Sequence, residues 1–342
     1  MSASPSTLVV APAWVGDLVM AQPLIAQLAR QDPAGQVDIL APGFVLDLCR
    51  RMPGVAQAHV APFGHGTLAI AARWRLGRQL AVVGYQHAYV LPNSLKSALV
   101  PWFAGIPHRV GYVGEQRYGL LNDRHHLDRQ AVPRMVDRYY HLAFPAQTLQ
   151  PRAPDPVLLA DLAQRLTLLE RLGLTGQATM APVVLCPGAE YGPAKRWPVR
   201  HFAQVAAHYL DRQVPVWILG SGKDAAVAEA IRSAGAAQAH NLCGRTSLGE
   251  AVDLMAAARA VITNDSGLMH VGAALGVRTV ALFGSSSARF TPPLSPMATA
   301  LSLDLACSPC FRRTCPLGHL HCLEHLLPEQ VLDTLSKEAI SR

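Results

Sequence analysis

A short apolar run, a small polar turn and a stretch of helical period recur in that order along the 342 residues of this chain. No other feature constrains its fold as much. The first series opens with Leu8-Val-Val-Ala-Pro12, then Ala13-Trp-Val-Gly-Asp17, then a helix in which Leu18, Ala21, Ile25 and Leu28 recur at helical spacing. Strands are expected at 37–40, 59–61, 87–91 and 108–112, with helices near 45–51, 68–80 and 94–104 between them. From 113 to about 150 the pattern weakens to loop and short helix with a positive face, and the Pro-dense run 150–156 reads as the start of an interdomain connection. After a helix at 158–172, a second series has strands at 182–186, 214–219, 239–242, 260–263 and 279–283 and helices at 199–212, 225–234, 248–258 and 267–275. Repeated strand-helix-strand units require parallel sheets covered on both faces. The expectation is α/β: two doubly wound parallel-sheet domains, 1–155 and 156–342, facing across a cleft, with the last helix packing back on the first domain.

Composition narrows the function. Half of the residues are hydrophobic (50%), which supports well-buried cores. The start has no basic region, and the apolar stretch after it is broken by Gly16 and Asp17, too early for a signal or a span. A cytoplasmic protein without a transmembrane anchor is expected. Of the 30 basic residues only four are Lys (Lys96, Lys195, Lys223, Lys337), and the net charge of +7 suits anionic ligands or a membrane face. No basic run of five and no nucleic-acid-binding signature occurs, so nucleic acid is not the expected partner. Cys49, Cys186 and Cys243 stand singly in apolar surroundings and read as buried thiols. Cys307, Cys310, Cys315 and Cys322 form a cluster with His319, His321 and His325 nearby. A structural zinc is one reading of it; reduced thiols or local disulfides are the other.

In doubly wound sheets ligands bind beyond the carboxyl ends of the strands, and the polar turns of this chain lie there. Asn264-Asp-Ser-Gly-Leu-Met-His270 is one such turn, opening a helix whose free N–H groups and dipole suit a phosphate. His270 shares the face of Ser266 four residues earlier. Asp265 or Ser266 acting only as a helix cap is the alternative. Pro187-Gly-Ala-Glu-Tyr-Gly-Pro-Ala-Lys-Arg-Trp-Pro198 brings Gly188, Lys195 and Arg196 to another such edge, a pattern suited to a diphosphate. Gly220-Ser-Gly-Lys-Asp224 lacks both the dinucleotide fingerprint and the P-loop spacing; Asp224 is a ribose acceptor or a cap. Gly244-Arg-Thr-Ser-Leu248 is a third turn on that edge, with Ser247 as a routine cap. In the first half, Asp17 stands at a helix start as a cap or a general base, and no Asp-x-Asp turn for a metal-bound diphosphate occurs.

With Asp17, the Lys195 loop and the Asn264–His270 turn, this chain resembles the ADP-heptose:lipopolysaccharide heptosyltransferases, glycosyltransferase family 9. Leu91-Pro-Asn-Ser-Leu-Lys-Ser-Ala-Leu-Val100, Phe103-Ala-Gly-Ile-Pro-His-Arg109 and Tyr118-Gly-Leu-Leu-Asn-Asp123 are most similar to the members that add the second heptose. The resemblance covers roughly residues 7 to 300; the cysteine segment departs from at least some members. It implies a GT-B fold and metal-independent, inverting transfer of L-glycero-D-manno-heptose from ADP-heptose to the first heptose of the inner core, with no cofactor required. Implied roles are Asp17 as general base and Lys195 as stabiliser of the leaving diphosphate. Gly188, Asp224, Thr246, Asp265, Ser266, Gly267 and His270 would bind the donor. Asn93, Lys96, Arg109, Arg117 and Arg124 would meet the acceptor, heptosyl-Kdo2-lipid A, at the cytoplasmic face of the inner membrane. Trp102 and Phe103 belong either to the core or near the membrane, the core being the expectation. Two other readings stay open: a different GT-B enzyme, such as one adding another heptose or a sugar-nucleotide epimerase, and a non-catalytic inner-membrane binding module.

Overall fold

The computed structural model describes residues 5–64, 66–146 and 151–337. Met1–Ser4, on which the expected lack of a leader partly rests, and Gln150, the first residue of the Pro-dense run, lie outside the described residues. The chain divides into two compact units, Met1–Val157 and Leu158–Arg342.

The first unit contains β1 (Pro5–Val10), α1 (Val15–Met20), α2 (Gln22–Gln31), β2 (Gln36–Ala41), α3 (Leu46–Cys49) and β3 (Val55–Val60). It continues with α4 (Ile70–Ala81), β4 (His87–Val90), α5 (Leu99–Phe103), β5 (His108–Tyr112), β6 (Asp123–His125) and α6 (Met135–Tyr140). The second unit begins with α7 (Leu162–Leu172), β7 (Val183–Cys186), α8 (Val199–Leu210), β8 (Val216–Ile218), α9 (Ala225–Ser233) and β9 (His240–Asn241). It ends with α10 (Leu248–Met255), β10 (Ala260–Asn264), α11 (Gly267–Ala274), β11 (Thr279–Leu282), β12 (Ala298–Leu301), α12 (His321–Glu324) and α13 (Pro328–Lys337).

Each unit holds one six-stranded parallel sheet, ordered β3-β2-β1-β4-β5-β6 and β12-β11-β10-β7-β8-β9. Counted from the first strand of its own unit, each is 3-2-1-4-5-6, the Rossmann order, whose switch points lie between β1 and β4 and between β7 and β10. Leu185, Phe202, Ile218 and Ile262 form the heart of the second core, and Leu8, Ala88, Val90 and Ile106 that of the first. β7, β10 and β11 are buried along their whole length, as strands covered by helices on both faces must be.

Several boundaries differ from the pattern read in the sequence. The helix expected from 158 starts at Leu162 because the Asp161 carboxylate accepts from the N–H groups of Ala163 and Gln164 and caps it there. β3 begins at Val55, earlier than expected, as an edge strand with no fully buried residue. β6 and β12 are added edge strands without an apolar run, and the loop region after 113 contains β6 and α6. The last described helix, α13, packs within its own unit against α8 and β11, burying Val331 and Leu335. No described helix is long and apolar enough to cross a membrane.

Candidate functional site

The turns that follow β7 and β10 flank the switch point of the second sheet, and side chains tie them together. Asn264, fully buried at the end of β10, accepts from the Trp197 backbone N–H at 3.0 Å and donates to the Pro187 carbonyl at 2.7 Å. Next to it, Asp265 is 6% exposed and turned toward the β7 loop. Its Oδ2 accepts from Lys195 Nζ at 2.5 Å and from Ser286 Oγ, which comes from the loop after β11. Lys195 also lies over the Tyr191 ring, 5.0 Å from its centroid. Sequence reasoning offered the Lys195 cation to a ligand directly; in the structure Asp265 already balances it.

Ser266 occupies the cap position of α11, yet its side chain makes no capping hydrogen bond; it lies 3.3 Å from the Thr263 hydroxyl. The N–H groups at the start of α11 are therefore not taken up by a side-chain cap, which keeps the turn suited to an anion. His270 is buried one turn along, and burial pulls its pKa from 6.5 down to about 4, with Asp265 opposing and Lys195 adding to the fall. It is neutral at ordinary pH.

The remaining turns of this edge abut. Asp224 closes a capping box: its carboxylate accepts from the Ser221 N–H at 2.9 Å and the Ser221 hydroxyl at 2.8 Å. A Cβ at Gly188 would stand 2.6 Å from that carboxylate, so glycine is what lets the β7 loop lie against it. Gly244 needs its left-handed backbone (φ 72°) and packs on Gly222, joining the β9 loop, with half-buried Thr246, to the same edge. Ser247 and Glu250 form a second capping box. Of the two roles weighed for Asp224 and Ser247, capping is the one these contacts carry.

In the first unit Asp17 lies in the first turn of α1, after β1, and Asn93 and Lys96 follow β4, so both segments flank that sheet's switch point. Asp17 is half-buried, and its charge helps burial raise the pKa of Tyr139 on α6. The arginines separate by environment. Arg117, expected among the acceptor contacts, is 2% exposed and donates to the carbonyls of Pro92 (2.7 Å) and Tyr112 (2.5 Å) and to Asn93 Oδ1 (3.3 Å). Arg109 donates to the Leu120 carbonyl at 2.6 Å and the Ile106 carbonyl at 2.5 Å. Both brace loops. Arg124 is exposed beside the Tyr118 ring, and Lys96 is half-buried. Trp102, expected in the core, is 47% exposed, while Phe103 packs on Gly77 of α4.

Cys49, Cys186 and Cys243 are buried, and burial pushes the Cys49 and Cys243 thiols up to about 12. The other four cysteines are also free thiols, and among the described residues no three side chains of the metal-binding types are gathered as a metal site. Sequence reasoning missed Ser286 and Tyr191 as parts of the site. Ser286 had a signal: Gly284-Ser-Ser-Ser-Ala288 is a small polar turn at a strand's carboxyl end.

Known proteins are similar to this chain in sequence and fold. The profile of glycosyltransferase family 9 (heptosyltransferase) matches residues 73–321. The lipopolysaccharide heptosyltransferase 2 of Escherichia coli K12 is 42% identical over 339 residues, 96% of this chain and 97% of that protein. The lipooligosaccharide heptosyltransferase 2 of Haemophilus influenzae is 44% identical, covering 86% of this chain and 88% of its own. The solved structure of E. coli ADP-heptose lps heptosyltransferase II superposes with a TM-score of 0.87 at 40% identity, covering 97% of this chain and 98% of that one. With two Rossmann sheets of GT-B type, polar turns at both switch points and this degree of identity over nearly its whole length, the chain belongs to glycosyltransferase family 9, the heptosyltransferases.

Proposed function

We propose that this chain is a lipopolysaccharide heptosyltransferase II. It moves L-glycero-D-manno-heptose from ADP-heptose to the first heptose of the inner core, working as a peripheral protein at the cytoplasmic face of the inner membrane. The observation that carries the reading is the 42% identity, over 96% of the chain, to an enzyme of that name. In this reading the acceptor 3-hydroxyl gives its proton to Asp17 as its oxygen bonds to the anomeric carbon, and the bond to ADP breaks on the opposite face, inverting the centre. Negative charge collects on the departing diphosphate. Lys195 and the N–H groups around Ser266 and Gly267 stabilise it in a site preorganised by Asn264 and Asp265, so that no metal is needed there. Gly188, Asp224, Thr246 and His270 shape the donor pocket, and Asn93, Lys96 and Arg124 serve the acceptor. Arg109 and Arg117 hold the loops that present it.

The test is transfer from ADP-heptose, with chelator present, to core acceptors bearing zero, one or two heptoses. Turnover on the one-heptose acceptor alone is expected. Preference for the acceptor without heptose would make it the enzyme of the preceding step, and epimerised donor without any acceptor would refute transfer altogether.

A further inference from the structure

The cysteine segment between β12 and α12 crosses both loops that hold the Lys195–Asp265–Ser286 group. Its backbone meets the β7 loop where the Ala194 N–H donates to the Arg313 carbonyl at 3.0 Å and the Tyr191 hydroxyl donates to the Phe311 carbonyl at 2.7 Å. Gly192 is pressed so closely that a Cβ there would lie 2.6 Å from the Arg313 carbonyl oxygen. It meets the β11 loop where the Phe311 N–H donates to the Ser285 carbonyl and the Ser308 hydroxyl to the Gly284 carbonyl, both at 2.6 Å. Residues 302–320 do this without a strand or helix of their own.

One cavity lies at the centre of this segment, and Cys307, Cys310, Cys315 and Cys322 all line it, together with Ala194 and Ser285. Cys315 opens a tight turn closed by the Gly318 N–H, which donates to the Cys315 carbonyl at 3.2 Å. The Ser285 hydroxyl, on the cavity wall and 1% exposed, has no hydrogen-bond partner. Four thiols around one cavity, three from the irregular segment and Cys322 from the first turn of α12, match the ligand set of a tetrahedral structural site.

We propose that the four cysteines bind one metal ion of the zinc–iron class as a tetrathiolate site, and that this ion locks the segment onto the two donor-site loops. The thiols surround the cavity without being gathered into a closed shell. Protonated thiols have no reason to crowd together, and ligation, which removes their protons, draws them in to about 2.3 Å from the ion. The site is structural: its ligands leave no open position for substrate, and its effect on catalysis passes through Lys195 and Ser286. Only that last effect rests on the heptosyltransferase reading.

The experiment is elemental analysis of the full chain purified under reducing conditions without chelator, combined with thiol titration and mass measurement. About one equivalent of zinc or iron per chain is expected, with the four thiols protected until the ion is extracted. Cobalt loading of the unmutated chain is expected to give the visible bands of tetrahedral thiolate cobalt, a readout that does not depend on any variant folding. Cys310→Ser combined with Cys315→Ser is expected to lose the metal, lower the melting temperature and weaken ADP binding about tenfold or more, whereas Cys49→Ser keeps the metal. Metal below about a tenth of an equivalent with all four thiols reacting at once, or a mass short of two hydrogens for each disulfide, overturns the proposal. Metal content is measured without substrate, so its failure is separate from a failure of the transfer assay.

Discussion

His270 makes the stability of the second unit depend on pH in a way that can be worked out. In the unfolded chain it takes up a proton at its ordinary pKa of 6.5, whereas in the folded protein burial holds it neutral down to about 4. Above pH 6.5 neither state binds a proton there, and the full stability is present. As the pH falls from 6.5 toward 4, the unfolded chain gains a proton that the folded one refuses, and stability is lost; below about 4 both are protonated and the loss stops growing. The gap between the two values corresponds to about 3.4 kcal/mol when fully developed, of which about 1.8 kcal/mol falls between pH 7 and pH 5. The assay is urea denaturation followed by tryptophan fluorescence at pH 7 and pH 5, for the parent and for His270→Leu, which cannot titrate. Trp197 and Trp217, both buried in the second unit, report on it. Other groups titrate in both proteins, so the difference between the two pH-dependent losses isolates His270. A parent that loses about 1.8 kcal/mol more than the variant is expected; equal losses refute the reasoning.

Asp17→Asn is expected to leave ADP-heptose affinity by calorimetry unchanged and to cut turnover by about 10²- to 10⁴-fold, and retained turnover removes Asp17 as the base. Lys195→Ala is expected to weaken donor binding and slow turnover together, each by about tenfold or more; unchanged donor affinity counts against its contact with the diphosphate. Gly188→Ala forces a Cβ against the Asp224 carboxylate at 2.6 Å, and calorimetric melting is expected to show a loss of about 1–3 kcal/mol. Arg117→Met removes the donors to the Pro92 and Tyr112 carbonyls, with an expected loss of about 2–4 kcal/mol, while exposed Arg124→Ala keeps its stability and raises the KM for acceptor. Equal stability loss in both arginine variants would undo the separation of bracing from binding.

The central strands were legible because burial on both faces writes itself as runs such as Val183–Cys186 and Thr279–Leu282. Edge strands escape that signal: Asp123-Arg-His125 needs no apolar face to pair with β5. The turns of the candidate site were legible for the same topological reason, since each follows a strand. Their internal chemistry was not. Lys195 and Asp265 are 70 residues apart, and only the adjacency of β7 and β10 brings their loops together. Arg117 stands in a basic stretch that reads as surface, and nothing local reveals that the Pro92 and Tyr112 carbonyls draw it inside.

The carboxylate of Asp265, shared by Lys195 and Ser286, means that the second sheet's switch point carries its own counterion. The Lys195 cation is therefore not freely available to an incoming anion. Orthophosphate gains that ammonium only in competition with a carboxylate 2.5 Å away, and has the N–H groups at the start of α11 alone to offset the loss. A nucleotide sugar touches several loops at once and can meet that threshold. The ion pair thus sets a cost that a ligand must offset with further contacts before it can engage Lys195.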